Sequence, residues 1–212
     1  MSAVDVYLAD LRAAIPGPSW TRRDLLREAG GHLEDATEAY ATAGYSTMEA
    51  ETLALRDFGS VDEVAPGFRD TVAIGAARRT AILLVLVMIP QTVLWDGRID
   101  LGASAGAAAP DGGLFHVLDT LIGYVGTAGT IGAVIALVAT AIGQRWLPIG
   151  ARTARLTAAW SLATALAIPV IGFTMLTLTG GLTVMLAMSA IAFMAIPFAL
   201  VAVSAQRTLA AC

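Results

Sequence analysis

The side chains that could do chemistry are few and widely spread. Cys212 is the single cysteine and His32 and His116 are the two histidines. A lone thiol allows neither an internal disulfide nor a thiolate metal site, and two histidines in separate segments make no His-rich cluster by themselves. The long apolar stretches of the second part carry no acidic, basic or imidazole group; their polar atoms come from Thr, Ser, Gln91 and Tyr124. Ion-coupled transport, proton relays and intramembrane proteolysis by a metal or an aspartate pair need ionisable groups at that depth, so these chemistries are not expected. No nucleophile–base pair, metal set or phosphate-cradling glycine motif is present, so no enzyme activity and no cofactor are expected. What remains is surface charge. Arg23, His32, Glu34, Asp35 and Glu38 crowd one segment and are the candidate residues for docking a protein partner. His32 could serve there as a pH-sensitive contact or as an ordinary helix-surface histidine. His116 and Asp119, at i and i+3, could pair or meet a ligand, or simply be solvated at an interface.

Composition divides the chain into two environments. Of 212 residues 57% are hydrophobic and 14% charged, where a soluble domain carries about 25% charged residues. Every basic residue is arginine. Residues 1–77 hold thirteen acids against six arginines, a net −7; residues 78–212 hold four acids against seven arginines, a net +3. An acidic polar front and an apolar, weakly basic remainder point to one part in water and one in lipid. Direct nucleic-acid binding is not expected of the acidic part, which lacks clustered cations. Residues 1–24 contain no continuous apolar core, so a secretory signal is not expected there either.

A bilayer crossing takes about 20 residues at 1.5 Å each, and four stretches qualify, at about residues 80–95, 118–142, 157–177 and 183–204. The first is short and borrows length from the alanines before Arg78 and Arg79, which can snorkel. The last two share an interval without charge between Arg155 and Arg207, and the polar, Gly-rich run TLTGGLT at 177–183 predicts a tight helical hairpin. Placing the N-terminal part inside puts Arg78, Arg79, Arg145, Arg152, Arg155 and Arg207 on the inner side and only Arg98 outside. That positive-inside pattern predicts a multi-pass protein of the plasma membrane with both termini cytoplasmic. Trp95, Trp146 and Trp160 fall near span ends or the inner turn, where indole rings settle. Residues 96–115, with GASAGAAAPDGG, read as a flexible external loop.

Gly123, Gly126, Gly129 and Gly132 recur every third residue. The stripe reads as a helix-packing face, with a substrate groove as the sharper alternative. Pro90, Pro169 and Pro197 each interrupt a span, the last two in matching Ala-Ile-Pro contexts, as static kinks or as hinges. An Arg, Thr and later Pro shared by the first and third spans hints at tandem duplication of a hairpin.

The front part reads as short helices. Val4, Leu8, Leu11 and Ile15 keep the amphipathic rhythm of a first helix, ended by Pro16-Gly17-Pro18. A second covers about residues 21–43, with Leu25, Ala29, Leu33, Ala36 and Tyr40 on one face and Gly44 as its stop. Gly30-Gly31 weakens its middle by about 1 kcal/mol per residue relative to alanine, which opens the way to a local break. Ser46-Thr47-Met48-Glu49 and Ser60-Val61-Asp62-Glu63 are capping boxes that start a third and a fourth helix. The third stops at Gly59; Pro66 bends the fourth before it runs through Arg78 into the first span. The architecture expected is all-α, a small cytoplasmic helical domain (1–77) followed by a four-helix transmembrane bundle (78–212).

Residues 5–70 resemble the HAAS domain, also called the permease prefix domain. The resemblance rests on Leu11, Arg23, Leu25, Leu26, the run His32-Leu33-Glu34-Asp35, then Ala43-Gly44, Glu49-Ala50, Phe58-Gly59 and Val64. Ala29-Gly30-Gly31 departs from it, since such domains usually carry charged or larger helix formers there. The resemblance implies a cytoplasmic helical domain fused to membrane spans, with PadR-type winged-helix transcription regulators as partners, or membership of a transporter permease. No catalytic residue is associated with the domain. Two functions are therefore expected: an integral membrane signalling or docking protein whose acidic domain binds such a regulator, or an accessory subunit of an ABC-type efflux permease. A domain of about 70 residues is near the lower limit for an independent core, so pairing with a partner or with a second copy is also expected.

Overall fold

The computed structural model describes residues 2–17, 19–95, 112–146, 150–178 and 188–212. Every regular element among them is helical: α1 (Ala3–Ala14), α2 (Ser19–Thr42), α3 (Thr47–Phe58), α4 (Val61–Trp95), α5 (Gly113–Trp146), α6 (Ala151–Leu178) and α7 (Met188–Ala211). The stretches Val61–Thr92, Gly113–Ala141, Ala151–Leu178 and Met188–Ala211 are each long and apolar enough to cross a membrane, which makes the chain a multi-pass membrane protein. The loop at 96–111 and most of the hairpin turn, at 179–187, lie outside the described residues.

Local chemistry sets the ends of the front helices. Ser2 and Asp5 form a reciprocal capping box at α1, as Ser46 and Glu49 do at α3; the Ser60 N–H donates to Glu63 at the start of α4 at 2.9 Å. Gly44 and Gly59 sit at φ +99° and +100°, a backbone conformation that glycine reaches without strain, and so stop α2 and α3. The break that Gly30-Gly31 invites does not occur, and α2 is continuous from Ser19 to Thr42. Gly30 is buried with the Leu8 side chain beside it, so tertiary packing of α1 onto α2 overrides a weak local propensity.

α1 to α3 and the start of α4 form the head. Its core is Leu11, Ile15, Ala29, Ala65 and Val72, with Phe58 and Phe68 packed around it. Tyr7 donates to the Gly59 carbonyl at 2.9 Å and meets Phe58 edge-on, pinning α1 to the turn between α3 and α4. Tyr40 donates to Asp57 and ties α2 to α3. The carbonyls left open at the end of α1 are met by arginines, with Arg69 Nε donating to Ala14 and Arg22 Nη1 to Ile15.

α4 continues without interruption through Pro66, residue 77 and Pro90, so the head and the bundle share one helix. In the bundle α4 and α6 touch each other and each touches both α5 and α7, which lie on opposite flanks. The buried side of α6 explains the close approach: Ala154, Thr157, Ala158, Ser161, Thr164, Ala165, Ile168, Gly172 and Met175 recur at helical spacing and are mostly small. Without a hydrophobic drive between helices in lipid, small residues let backbones approach and van der Waals contact do the holding. Leu84, Met88, Ile122, Phe198 and Val201 fill the bundle core. Its outer surface exposes large apolar side chains such as Leu86, Ile135, Leu166, Val170 and Leu200, as lipid contact requires.

One polar defect lies in that packing. Among the described residues, the Ser161 hydroxyl is buried without a hydrogen-bond partner. Ser161→Ala removes it while keeping the shape, so the variant should be more stable by about 1 kcal/mol, as a higher unfolding temperature in detergent micelles would show.

Candidate functional site

Arg23, His32, Glu34, Asp35 and Glu38 all lie exposed on α2, opposite the buried face formed by Ala29 and Leu33. At 100° per residue Arg23, Glu34 and Glu38 line one ridge, Asp35 flanks it, and His32 sits at the far edge of the same exposed side. Arg23 and Glu38 are about 22 Å apart along the axis at 1.5 Å per residue. The five residues therefore make a broad charged face, not a convergent pocket. Asp24 and Arg27 form an exposed ion pair on it, at 2.9 Å. Among the described residues no group of three His, Cys, Asp or Glu is placed to hold a metal.

Carboxylates that cap helices contribute to the pH response of the head, as does Asp57, whose carboxyl the Tyr40 hydroxyl holds below the usual range. The Ser46 hydroxyl, then its N–H, holds the Glu49 carboxyl below the usual range, and Ser60 does the same for Glu63. At Asp5 the Ser2 N–H comes first and the hydroxyl second. For these acids the folded pKa lies below the unfolded one. The stabilisation is complete above the ordinary carboxylate values of about 4 and is lost as pH falls through the depressed folded values. Acid titration followed by helical circular dichroism should show the head loosening below about pH 4, and Ser46→Ala together with Ser60→Ala should reduce the pH dependence.

The head is seated on the bundle by specific contacts. Asp70 on α4 accepts the Ala151 N–H at 3.3 Å, so a carboxylate from one helix satisfies the open amide end of α6 and complements its dipole. Ala73, Ala77 and Ala154 pack together with Cys212 against them, and Arg155 donates to the Cys212 carbonyl. Gly17, at φ +114°, lies on Val72 and Ala211; a β-carbon there would come within 2.6 Å of Val72 Cγ1.

At the other end of the bundle a cavity of about 360 Å³ opens between α4, α5, α6 and α7, bordered by Met88, Gln91, Ile122, Gly126, Ile168 and Met194. Pro197 has no N–H to give to the carbonyl four residues back, Phe193, and Gln91 Nε2 donates to that oxygen instead. Residues Ile191–Ala195 adopt π-helical geometry at this point, and Ile196 N–H bonds to Ile191. The glycine stripe divides here. Gly129 faces Thr164 and Gly132 faces Trp160, both at the α5–α6 contact. Gly123 and Gly126 border the cavity, and Gly123 has no neighbour that its β-carbon would touch. A spacing of three residues turns 300°, so the stripe drifts 60° per step and cannot keep to one face. Trp160 is accordingly half-exposed against α5; the side chains of Trp95 and Trp146 lie outside the described residues. His116 and Asp119 are exposed on α5, with no ion pair between them among the described residues. The cavity, the trans cap by Asp70 and the Gln91–Phe193 bond went unread in the sequence; Pro197 and the stripe's drift were the available signals.

No family model, no curated protein and no solved structure matches this chain.

Proposed function

We propose that the protein is an integral membrane docking protein whose acidic head, on the cytoplasmic side, binds a protein partner, a PadR-type winged-helix regulator being the leading candidate. The observation that carries this reading is the exposed outer face of α2, where Glu28, Glu34, Asp35 and Glu38 lie away from the head core. A basic DNA-binding protein meets such a face with complementary charge, which speeds encounter and selects partners. The resemblance of residues 5–70 to the permease prefix domain supports the same partner class, and the arginines at the head end of the bundle support the inward orientation. The test places the full chain in lipid nanodiscs with winged-helix regulators encoded beside it. Retention at low salt that falls at high salt, and falls again with E34R/D35R/E38R, is expected; no retention of any of them overturns the reading.

A second reading, an accessory subunit of an ABC-type efflux permease, is favoured by the cavity beside Gln91 and its π-helical wall. Purification in mild detergent followed by mass analysis separates the two, because a co-purifying nucleotide-hydrolysing subunit supports transport and its absence supports docking.

A further inference from the structure

A groove of about 820 Å³ runs between α4 and α7 at the head end of the bundle. Its upper rim carries Arg79 and Arg207, and its deeper wall is apolar, with Leu83, Leu200 and Val203. The two helices are locked in register behind it. Thr80 Oγ1 lies 2.8 Å from Ser204 Oγ and 3.0 Å from Thr208 Oγ1, and both Thr80 and Thr208 are buried. Each arginine is the chain neighbour of one of these threonines, so the hydroxyl contacts set the backbones of Arg79 and Arg207 at a similar level on facing helices, and both side chains line the groove. None of the described residues that line the groove carries a carboxylate. The level is that of a membrane interface, since the uncharged spans begin immediately beyond Arg79 and end just before Arg207.

We propose that this groove binds an anionic glycerophospholipid. The phosphate sits between Arg79 and Arg207, where a guanidinium offers paired donors to phosphate oxygens. An acyl chain lies along Leu83, Leu200 and Val203. Charge complementarity selects the acidic headgroup, and the apolar wall selects a lipid over a free anion. Gly17 of the head closes the upper end of the groove, so a bound lipid touches the head, α4 and α7 together.

Native mass spectrometry of the full chain, released from micelles containing equal phosphatidylglycerol and phosphatidylcholine, tests this. Retained phosphatidylglycerol should exceed phosphatidylcholine, and R79Q/R207Q should lower that preference by about 10- to 30-fold. R79K/R207K, which keeps the charge and loses the paired donors, should show a smaller loss than R79Q/R207Q, and R78Q/R152Q, which removes two exposed arginines outside the groove, should leave it nearly unchanged. Circular dichroism establishes that each variant is folded. Equal retention of the two lipids, an equal loss in R78Q/R152Q, or displacement of the lipid by millimolar inorganic phosphate would overturn the proposal.

Discussion

Leu11→Ala is expected to unfold the head and leave the bundle intact. Leu11 is fully buried at the centre of a core of few large side chains. Truncating such a leucine costs about 2–5 kcal/mol, transfer and cavity terms together. A domain this small has little more than that to lose, since small domains bury proportionately less surface. The bundle has its own core around Leu84, Ile168, Phe198 and Val201, and none of those residues touches Leu11. Hydrogen exchange of the variant in nanodiscs should show α1, α2 and α3 exchanging freely while α5, α6 and α7 keep their protection. Equal loss of protection in both parts would mean that the two cores are not separate.

Gly129→Leu and Gly132→Leu should do the converse, opening the bundle and sparing the head. A β-carbon at Gly129 would lie 2.6 Å from Thr164 Cγ2, and one at Gly132 would run into the Trp160 ring. Overpacking of this kind costs about 1–3 kcal/mol per site, and both sites load the same α5–α6 contact. Gly123→Ala is the control. Its added methyl meets no atom, and alanine gains about 1 kcal/mol in helix propensity over glycine. Thermal unfolding in detergent micelles should fall steeply for the double leucine variant and hold or rise for Gly123→Ala. Equal destabilisation by all three would restore a single packing face along the stripe.

The spans were legible because length and the absence of charge decide them: a run such as residues 118–142 has no alternative in water. The front helices were legible where a local signal acts within a few residues, as with Gly44, Gly59, Ser46-Glu49 and Ser60-Glu63. Ser2-Asp5 carries the same capping signal and went unread at the chain start. Gly30-Gly31 misled because propensity is a weak local term that the packing of Leu8 outweighs. The site features that escaped are all non-local. Asp70 caps a helix that begins 81 residues further on, and Gln91 serves a carbonyl that a distant proline leaves open. Neither partner can be paired from spacing. The candidate docking residues were legible as charge, and their arrangement as a ridge follows from the continuity of α2.

One helix, α4, leaves water and enters lipid without a break. Single nitroxide labels placed along α4 in a Cys212→Ser background, in liposomes, test it by collision with oxygen and with a water-soluble nickel chelate. Accessibility should oscillate with a period of about 3.6 residues from Asp62 to Thr92, with nickel dominating at Asp62 and Thr71, oxygen dominating at Ile82, Leu86 and Ile89, and neither reaching Val72 or Leu84. Nickel access at Leu86 equal to that at Thr71, or a loss of the period between Val72 and Ile82, would contradict it.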